Sequence, residues 1–136
     1  IGTYFLHAGQ FDPWLLLPAS SCGLFSVAVL NVNNIRDIES DRKAGKRSIP
    51  VRIGRPKAVG YHWTLLTLGI VCSMIYVIAR FESPWQWLFL LSLPLLWING
   101  RAVQAKTKAS DLDPFLKQMA LTTLLFVLTF GIGQVV

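Results

Sequence analysis

The chain has 136 residues, a length that allows one domain at most. Hydrophobic residues make up 53% of it and charged residues only 15%, which is typical of a protein that crosses a membrane several times and excludes an ordinary soluble domain. The formal charge of +6 does not indicate nucleic-acid binding, because the charges are confined to segments between long apolar runs.

The chain begins inside an apolar phrase, with Ile1 rather than Met. We expect residues 1–8 to be the end of an earlier membrane helix and the chain to be the C-terminal piece of a longer protein. No signal or transit segment is visible. Cys22 and Cys72 both lie in apolar runs, so their expected role is packing.

The first long apolar run extends from Trp14 to Val32, which is sufficient to cross a hydrocarbon core of ~30 Å. Asp12-Pro13 is a favourable helix start, with Asp as the N-cap and Pro at the first helical position. No residue that ends a helix follows before Gly45. We therefore expect this helix to continue beyond the membrane into the polar segment.

Three further apolar runs cover residues 58–79, 85–100 and 114–136. Arg55-Pro56 and Asp113-Pro114 are predicted to begin the second and the fourth helix, and a capping box at Ser83 to begin the third. The sequence therefore predicts an all-α, polytopic bundle of transmembrane helices in a lipid bilayer.

The polar segment 31–54 reads NVNNIRDIESDRKAGKRSIPVRIG and holds three of the seven acidic residues. Asn33, Asp37 and Asp41 are spaced four apart, so in a helix they share one face, while Glu39 points elsewhere. Two carboxylates stacked in this way repel each other. Because Mg²⁺ prefers one or two carboxylates together with phosphate oxygens, this face is a predicted metal site.

Cations surround the acidic pair on both sides and favour a bound diphosphate. Arg42 and Lys46, just beyond Asp41, are the better candidates for contacting its oxygens. Asn34 either hydrogen-bonds the substrate or satisfies a neighbouring helix. The alternative for the segment is a solvated loop whose charges have no ligand, with its later cations anchoring it to anionic lipid.

Other polar residues receive no catalytic role. Asn31 and Asn99 are interpreted as hydrogen-bonding partners between helices. His7 and His62 have no nearby ligand at a useful spacing, and we assign them no function. Three glycines are interpreted as positions where helices approach closely: Gly60, Gly69 and Gly100.

The distribution of positive charge predicts the orientation in the membrane. Twelve of the thirteen Lys and Arg residues lie in or beside the two loops 36–57 and 101–117, whereas Arg80 is alone on the other side. Positive loops remain in the cytoplasm. We expect a multi-pass protein of the cell inner membrane with the motif loop on the cytoplasmic side.

The segment resembles the second aspartate-rich motif of the UbiA superfamily of intramembrane aromatic prenyltransferases. Within that family it is most similar to the menaquinone-pathway branch that acts on 1,4-dihydroxy-2-naphthoate. It departs from that pattern at residues 48–50. The matching residues are Asn33-Asn34, Arg36-Asp37, Ser40-Asp41-Arg42, Gly45-Lys46 and Val51-Arg52-Ile53-Gly54.

The resemblance implies a fold of nine membrane helices around a central cavity, with two acidic motifs facing each other. Residues 1–136 would be the C-terminal part of that single domain, with about the last four helices and the second motif, 31–54. The first motif would lie in the missing N-terminal half of the same protein. The fragment alone would then be inactive.

The resemblance also implies the reaction. Mg²⁺ held by Asn33, Asp37 and Asp41 would neutralise the diphosphate of a polyprenyl donor, and Arg42 and Lys46 would take up further charge as the C–O bond breaks. The allylic cation would then be attacked by the ring carbon of 1,4-dihydroxy-2-naphthoate, which loses its carboxylate as CO₂.

Two alternatives remain from the sequence. One is another aromatic acceptor, 4-hydroxybenzoate or homogentisate. The other is a non-catalytic membrane module that binds a cation or anionic lipid. An enzyme needs a second acidic motif upstream, whereas such a module does not.

Overall fold

Four long helical spans form the body of the molecule. The computed structural model describes residues 2–136, and within that range every regular element is a helix. Each of the four spans is long and apolar enough to cross a membrane, which confirms the predicted all-α transmembrane bundle. The spans are Pro13–Arg36, Arg55–Ala79, Pro84–Ala105 and Ala109–Gly133.

Short helices complete the fold, and two of the spans combine helix types. Two 3-10 helices, Pro13–Leu15 and Pro84–Ser92, begin the first and third spans. The α-helices, in chain order, are α1 (Gly2–Ala8), α2 (Leu16–Arg36), α3 (Ile38–Lys43), α4 (Ile49–Ile53), α5 (Arg55–Ala79), α6 (Leu93–Ala105) and α7 (Ala109–Gly133).

Three of the four predicted helix starts are confirmed. Asp12 Oδ1 accepts a hydrogen bond from the backbone N–H of Trp14, Arg55 is the first residue of α5, and Ser83 forms the expected capping box. The predicted start at Pro114 was wrong, because α7 begins at Ala109 and carries Pro114 inside it.

The early start of α7 has a physical reason. Leu112 is fully buried in an apolar cluster with Ile35 and Ile38, so burial stabilises the first turn. Pro114 lacks an N–H and therefore forgoes the hydrogen bond to the carbonyl of Ser110, which is tolerable this close to a helix end.

The main core is aromatic and lies deep in the bundle, where α2 packs against α5 and α7. Phe25, Phe89 and Phe126 are fully buried. The rings of Phe25 and Phe126 meet edge to face, with their centroids 4.7 Å apart. A second core cluster, which includes Val32 and Val103, lies at the motif end and supports the polar segment.

Buried amides join the helices, as predicted for Asn31 and Asn99. Asn31 Nδ2 donates to the carbonyl of Ala58 on α5 at 3.1 Å. Asn99 Nδ2 donates to the carbonyl of Phe115 on α7 at 2.8 Å, and its Oδ1 lies 3.0 Å from His62 Nε2. His62 is therefore not isolated; it is fully buried and links α5 to α6.

The glycine predictions are confirmed at two positions and wrong at the third. A Cβ at Gly69 would stand 2.6 Å from the Phe25 ring, and one at Gly100 would stand 2.6 Å from the Trp63 ring. Gly60 faces open space, since no atom of residues 2–136 outside its own helix backbone and immediate neighbours comes within 4 Å of a Cβ built there.

These contacts predict opposite effects of the same substitution on one helix. Gly69→Ala should lower the free energy of unfolding by ~1–3 kcal/mol, because the Phe25 ring is held by Phe126 and cannot move away. Gly60→Ala should raise it by ~0.5–1 kcal/mol through the lower entropy of the unfolded chain. Denaturation of both variants in detergent micelles tests this; a Gly69→Ala protein as stable as Gly60→Ala would contradict it.

Candidate functional site

The polar segment gathers at one end of the bundle, beside the start of α7 and the end of α6. Arg55 connects these parts: its guanidinium donates to the carbonyl of Val103 at 2.8 Å and to that of Lys106. The opposite end of the bundle is tied by a different pair, Arg80 and Asp12, at 2.8 Å. Arg80, which the sequence separates from the other cations, thus lies at the end of the bundle away from the motif.

The helix that carries the motif has a break at its first aspartate. It was predicted to be continuous, but α2 ends at Arg36, and Asp37 has φ −94° and ψ 9° before α3 begins. Helical hydrogen bonds nevertheless continue across the break. Asp37 N–H donates to the Asn33 carbonyl at 3.0 Å, and Asp41 N–H donates to the Asp37 carbonyl at 2.8 Å. Asn33, Asp37 and Asp41 therefore remain one turn apart.

The motif helix α3 ends at Lys43, and Gly45 takes the predicted position just past its end. Gly45 has φ 72°, its N–H donates to the Arg42 carbonyl at 3.2 Å, and the N–H of Lys46 donates to the Asp41 carbonyl at 2.9 Å. This pair of bonds is a Schellman motif, which favours glycine at the left-handed position. The turn brings Lys46 back towards Asp41.

Asp37 is held by the arginine that precedes it. Arg36 Nε donates to Asp37 Oδ1 at 2.8 Å, and Arg36 Nη2 donates to Asp37 Oδ2 at 3.0 Å. These bonds hold the pKa of Asp37 below its usual value, and the charge of Lys46 acts in the same direction. Arg36 Nη2 also donates to Asn33 Oδ1 at 3.0 Å, so one guanidinium hydrogen-bonds two of the three predicted metal ligands.

Asp41 is the buried member of the acidic pair. It is 8% exposed, and Lys46 Nζ lies 3.1 Å from its carboxylate and donates to Oδ1. Oδ2 also lies 3.1 Å from the same ammonium, without forming a hydrogen bond to it. A buried carboxylate is costly without a compensating charge, and Lys46 supplies that charge here. A divalent cation would supply it as well, so the donor set fits a metal that takes the place of the ammonium beside Asp41.

Arg42, another predicted diphosphate ligand, is paired with a different acid. Arg42 bonds Glu39 at 3.2 Å and lines a small cleft of about 220 Å³ on another face of the motif helix, together with Arg36 and Arg55. Asn34 is half-buried near the end of α2. The structure therefore brings Lys46 to the acidic pair and leaves Arg42 with Glu39.

Sequence reasoning missed one residue of this site. Asp113 is predicted only as part of a helix start, but its Oδ1 accepts from Arg36 Nη1 at 2.8 Å across 77 positions of the chain. Its proximity could not be read from spacing. Arg36 adjoins Asp37, which is a sequence signal for a contact between them. The segment holds several other cations, however, and nothing in the sequence distinguishes Arg36 from them.

The side chains of this site could supply only some of the ligands that a metal ion needs. Across residues 2–136, His, Cys, Asp and Glu side chains form no group of three or more that could enclose a metal. Two carboxylates and an amide oxygen on one helix face, with Lys46 beside them, are suited to a metal that takes its remaining oxygens from a phosphate ligand or water.

Comparison with known proteins gives a family. The family model described as the UbiA prenyltransferase family matches residues 1–124. The 1,4-dihydroxy-2-naphthoate octaprenyltransferase of Escherichia coli is 41% identical over 98% of this chain and 45% of its own length, and that of Haemophilus influenzae is 39% identical over 99% and 44%.

A more distant relative is the chloroplastic homogentisate phytyltransferase 1 of Arabidopsis thaliana, 27% identical over 73% of this chain and 24% of its own length. No solved structure matches the chain. The chain spans less than half the length of the curated relatives it matches. From the matched range and these identities, this multi-pass membrane chain belongs to the UbiA prenyltransferase family.

Proposed function

We propose that the protein to which this chain belongs transfers a polyprenyl group from polyprenyl diphosphate to 1,4-dihydroxy-2-naphthoate, with loss of CO₂, in menaquinone biosynthesis. The observation that carries the proposal is the acidic pair Asp37 and Asp41, one helical turn apart at the end of an apolar bundle, with a cation beside each acid.

Mg²⁺ is the cofactor that this donor set would take. Asp37 and Asp41 would hold it through carboxylate oxygens, and Asn33 through its amide oxygen. When bound, the ion would neutralise charge on the diphosphate leaving group. The ion would also reduce the repulsion between the two carboxylates when Lys46 leaves Asp41 for the diphosphate.

The chain's own cations would complete the diphosphate site. Lys46 already lies beside Asp41 and would donate from Nζ to a diphosphate oxygen as negative charge develops there. Arg42 would have to break its ion pair with Glu39 to do the same. That ion pair costs little to break, because both side chains are more than half exposed. Asn34 would donate from its amide. The apolar helices would exclude water from the allylic cation.

The choice of acceptor rests on the sequence identity between this chain and its relatives. The relatives at 39–41% identity are named for 1,4-dihydroxy-2-naphthoate, whereas the relative named for homogentisate is 27% identical. These values support the naphthoate over the other aromatic acceptors. Membership of an enzyme family supports a catalytic role over a cation- or lipid-binding module.

We further propose that residues 1–136 supply the second acidic motif of a single domain, and that a facing motif comes from another part of the protein. The fragment alone would then lack activity. The protein would lie in the inner membrane with the motif end in the cytoplasm, an orientation supported by the twelve cations near that end.

Removal of either aspartate should abolish transfer. In the full-length protein, Asp37→Ala or Asp41→Ala should lower kcat/KM by at least ~100-fold, because each removes a metal ligand worth several kcal/mol in the transition state. Membrane insertion should be unchanged. Prenyl transfer by purified protein in detergent micelles measures this.

Glu39→Gln is the matched control, since Glu39 is a neighbouring, largely exposed acid on another face of the same helix. It should retain activity within about twofold of wild type. Undiminished turnover in both aspartate variants would end the metal-site proposal.

Lys46 should act on the diphosphate donor alone. Lys46→Ala should raise the KM for polyprenyl diphosphate by about tenfold, the loss of one charge-assisted hydrogen bond, with little change in the KM for the aromatic acceptor. Lys43→Ala removes an exposed cation from the end of α3 and should change neither value much. A Lys46→Ala effect confined to the acceptor would refute this role.

A further inference from the structure

We propose that Asp113 on α7 is a positioning residue for the acidic motif, acting through Arg36. The inference rests on the proposed function, since it concerns the metal affinity of Asp37. Asp113 would draw part of the Arg36 charge away from Asp37, and so keep the Asp37 carboxylate able to bind a divalent cation.

The four contacts of Arg36 define the arrangement. Two of its N–H groups hold the two oxygens of Asp37 at 2.8 and 3.0 Å, and Nη2 also reaches Asn33 Oδ1 at 3.0 Å. Nη1 alone faces Asp113, at 2.8 Å. The guanidinium is planar and rigid, so fixing Nη1 against α7 also fixes the direction of the other three bonds.

The charges of this cluster make Asp113 important. Arg36, Asp37 and Asp113 sum to −1, which leaves one net negative charge for a cation. Without Asp113 the sum is zero, and Arg36 would neutralise Asp37 as an internal counter-ion. A metal would then have to compete with the full guanidinium charge.

The position of Asp113 is set by packing. Its neighbour Leu112 is fully buried against Ile35 and Ile38, on the two sides of the break at Asp37. The start of α7 is therefore held beside the motif by apolar contacts that do not depend on the ion pair. Because Asp113 is 56% exposed, the pair adds little to folding stability, and its effect should fall on the site instead.

The test compares two charge-neutralising variants of the same helix turn in full-length protein. Asp113→Asn removes the negative charge that faces Arg36. Asp111→Asn removes the same charge two residues away, where the carboxylate is near Ser110 rather than Arg36. Mn²⁺ affinity is measured by electron paramagnetic resonance of the free ion without substrates, alongside thermal unfolding and donor KM and kcat.

Asp113→Asn should weaken Mn²⁺ binding by about tenfold, the lower end of what loss of a group that orients a metal ligand costs. Its donor KM should rise, and its thermal unfolding should stay near that of wild type. Asp111→Asn should remain within about twofold of wild type in Mn²⁺ affinity. Asp113→Glu, which can still reach Arg36, should recover most of the affinity.

Three results would overturn the inference. If wild type binds Mn²⁺ and transfers the prenyl group but Asp113→Asn binds Mn²⁺ equally well, the inference fails and the proposed function stands. Equal weakening in Asp111→Asn and Asp113→Asn would show a general charge effect and also overturn it. A wild-type protein that binds no Mn²⁺ would overturn the inference and the proposed metal site together.

Discussion

The structure depends on how two carboxylates are compensated where the chain leaves an apolar bundle. In so low a dielectric environment an acidic pair one turn apart is unfavourable unless cations lie next to it. The chain supplies one cation for each acid: Arg36 for Asp37 and Lys46 for Asp41. The left-handed turn at Gly45 brings Lys46 back to Asp41, and the early start of α7 places Asp113 beside Arg36.

The two ion pairs differ in geometry and in exposure. Arg36 donates hydrogen bonds to both oxygens of Asp37, whereas the Lys46 ammonium lies 3.1 Å from both oxygens of Asp41 and donates to Oδ1. The Lys46 side chain is 56% exposed, against 24% for Arg36, and its ammonium stands at the end of a flexible chain. The cation beside Asp41 is therefore the easier of the two for a metal to displace.

Much of the fold could be predicted from the sequence because its signals are local. The apolar runs specify the four spans, and Asp12, Arg55 and Ser83 act at helix starts through adjacent residues. Gly45 ends the motif helix for the same reason. The prediction failed at Pro114, where the local signal competed with burial of Leu112 against residues some 75 positions away in the chain.

The candidate site was predictable to a similar extent. Helical spacing correctly gives the common face of Asn33, Asp37 and Asp41. Spacing could not separate Arg42 from Lys46, since the outcome depends on the direction of the turn at Gly45. Nor could it reveal Asp113, which reaches the motif only through tertiary packing.

Lys46 is bound to Asp41 twice, through its backbone N–H to the carbonyl at 2.9 Å and through Nζ to the carboxylate at 3.1 Å. Backbone geometry and electrostatic neutralisation are therefore coupled in a single residue. Unwinding the turn at Gly45 would release the ammonium from the acid in the same movement. The ordered turn thus holds the base of the Lys46 side chain next to Asp41, and only the flexible part of that side chain has to move for its ammonium to reach a different oxygen.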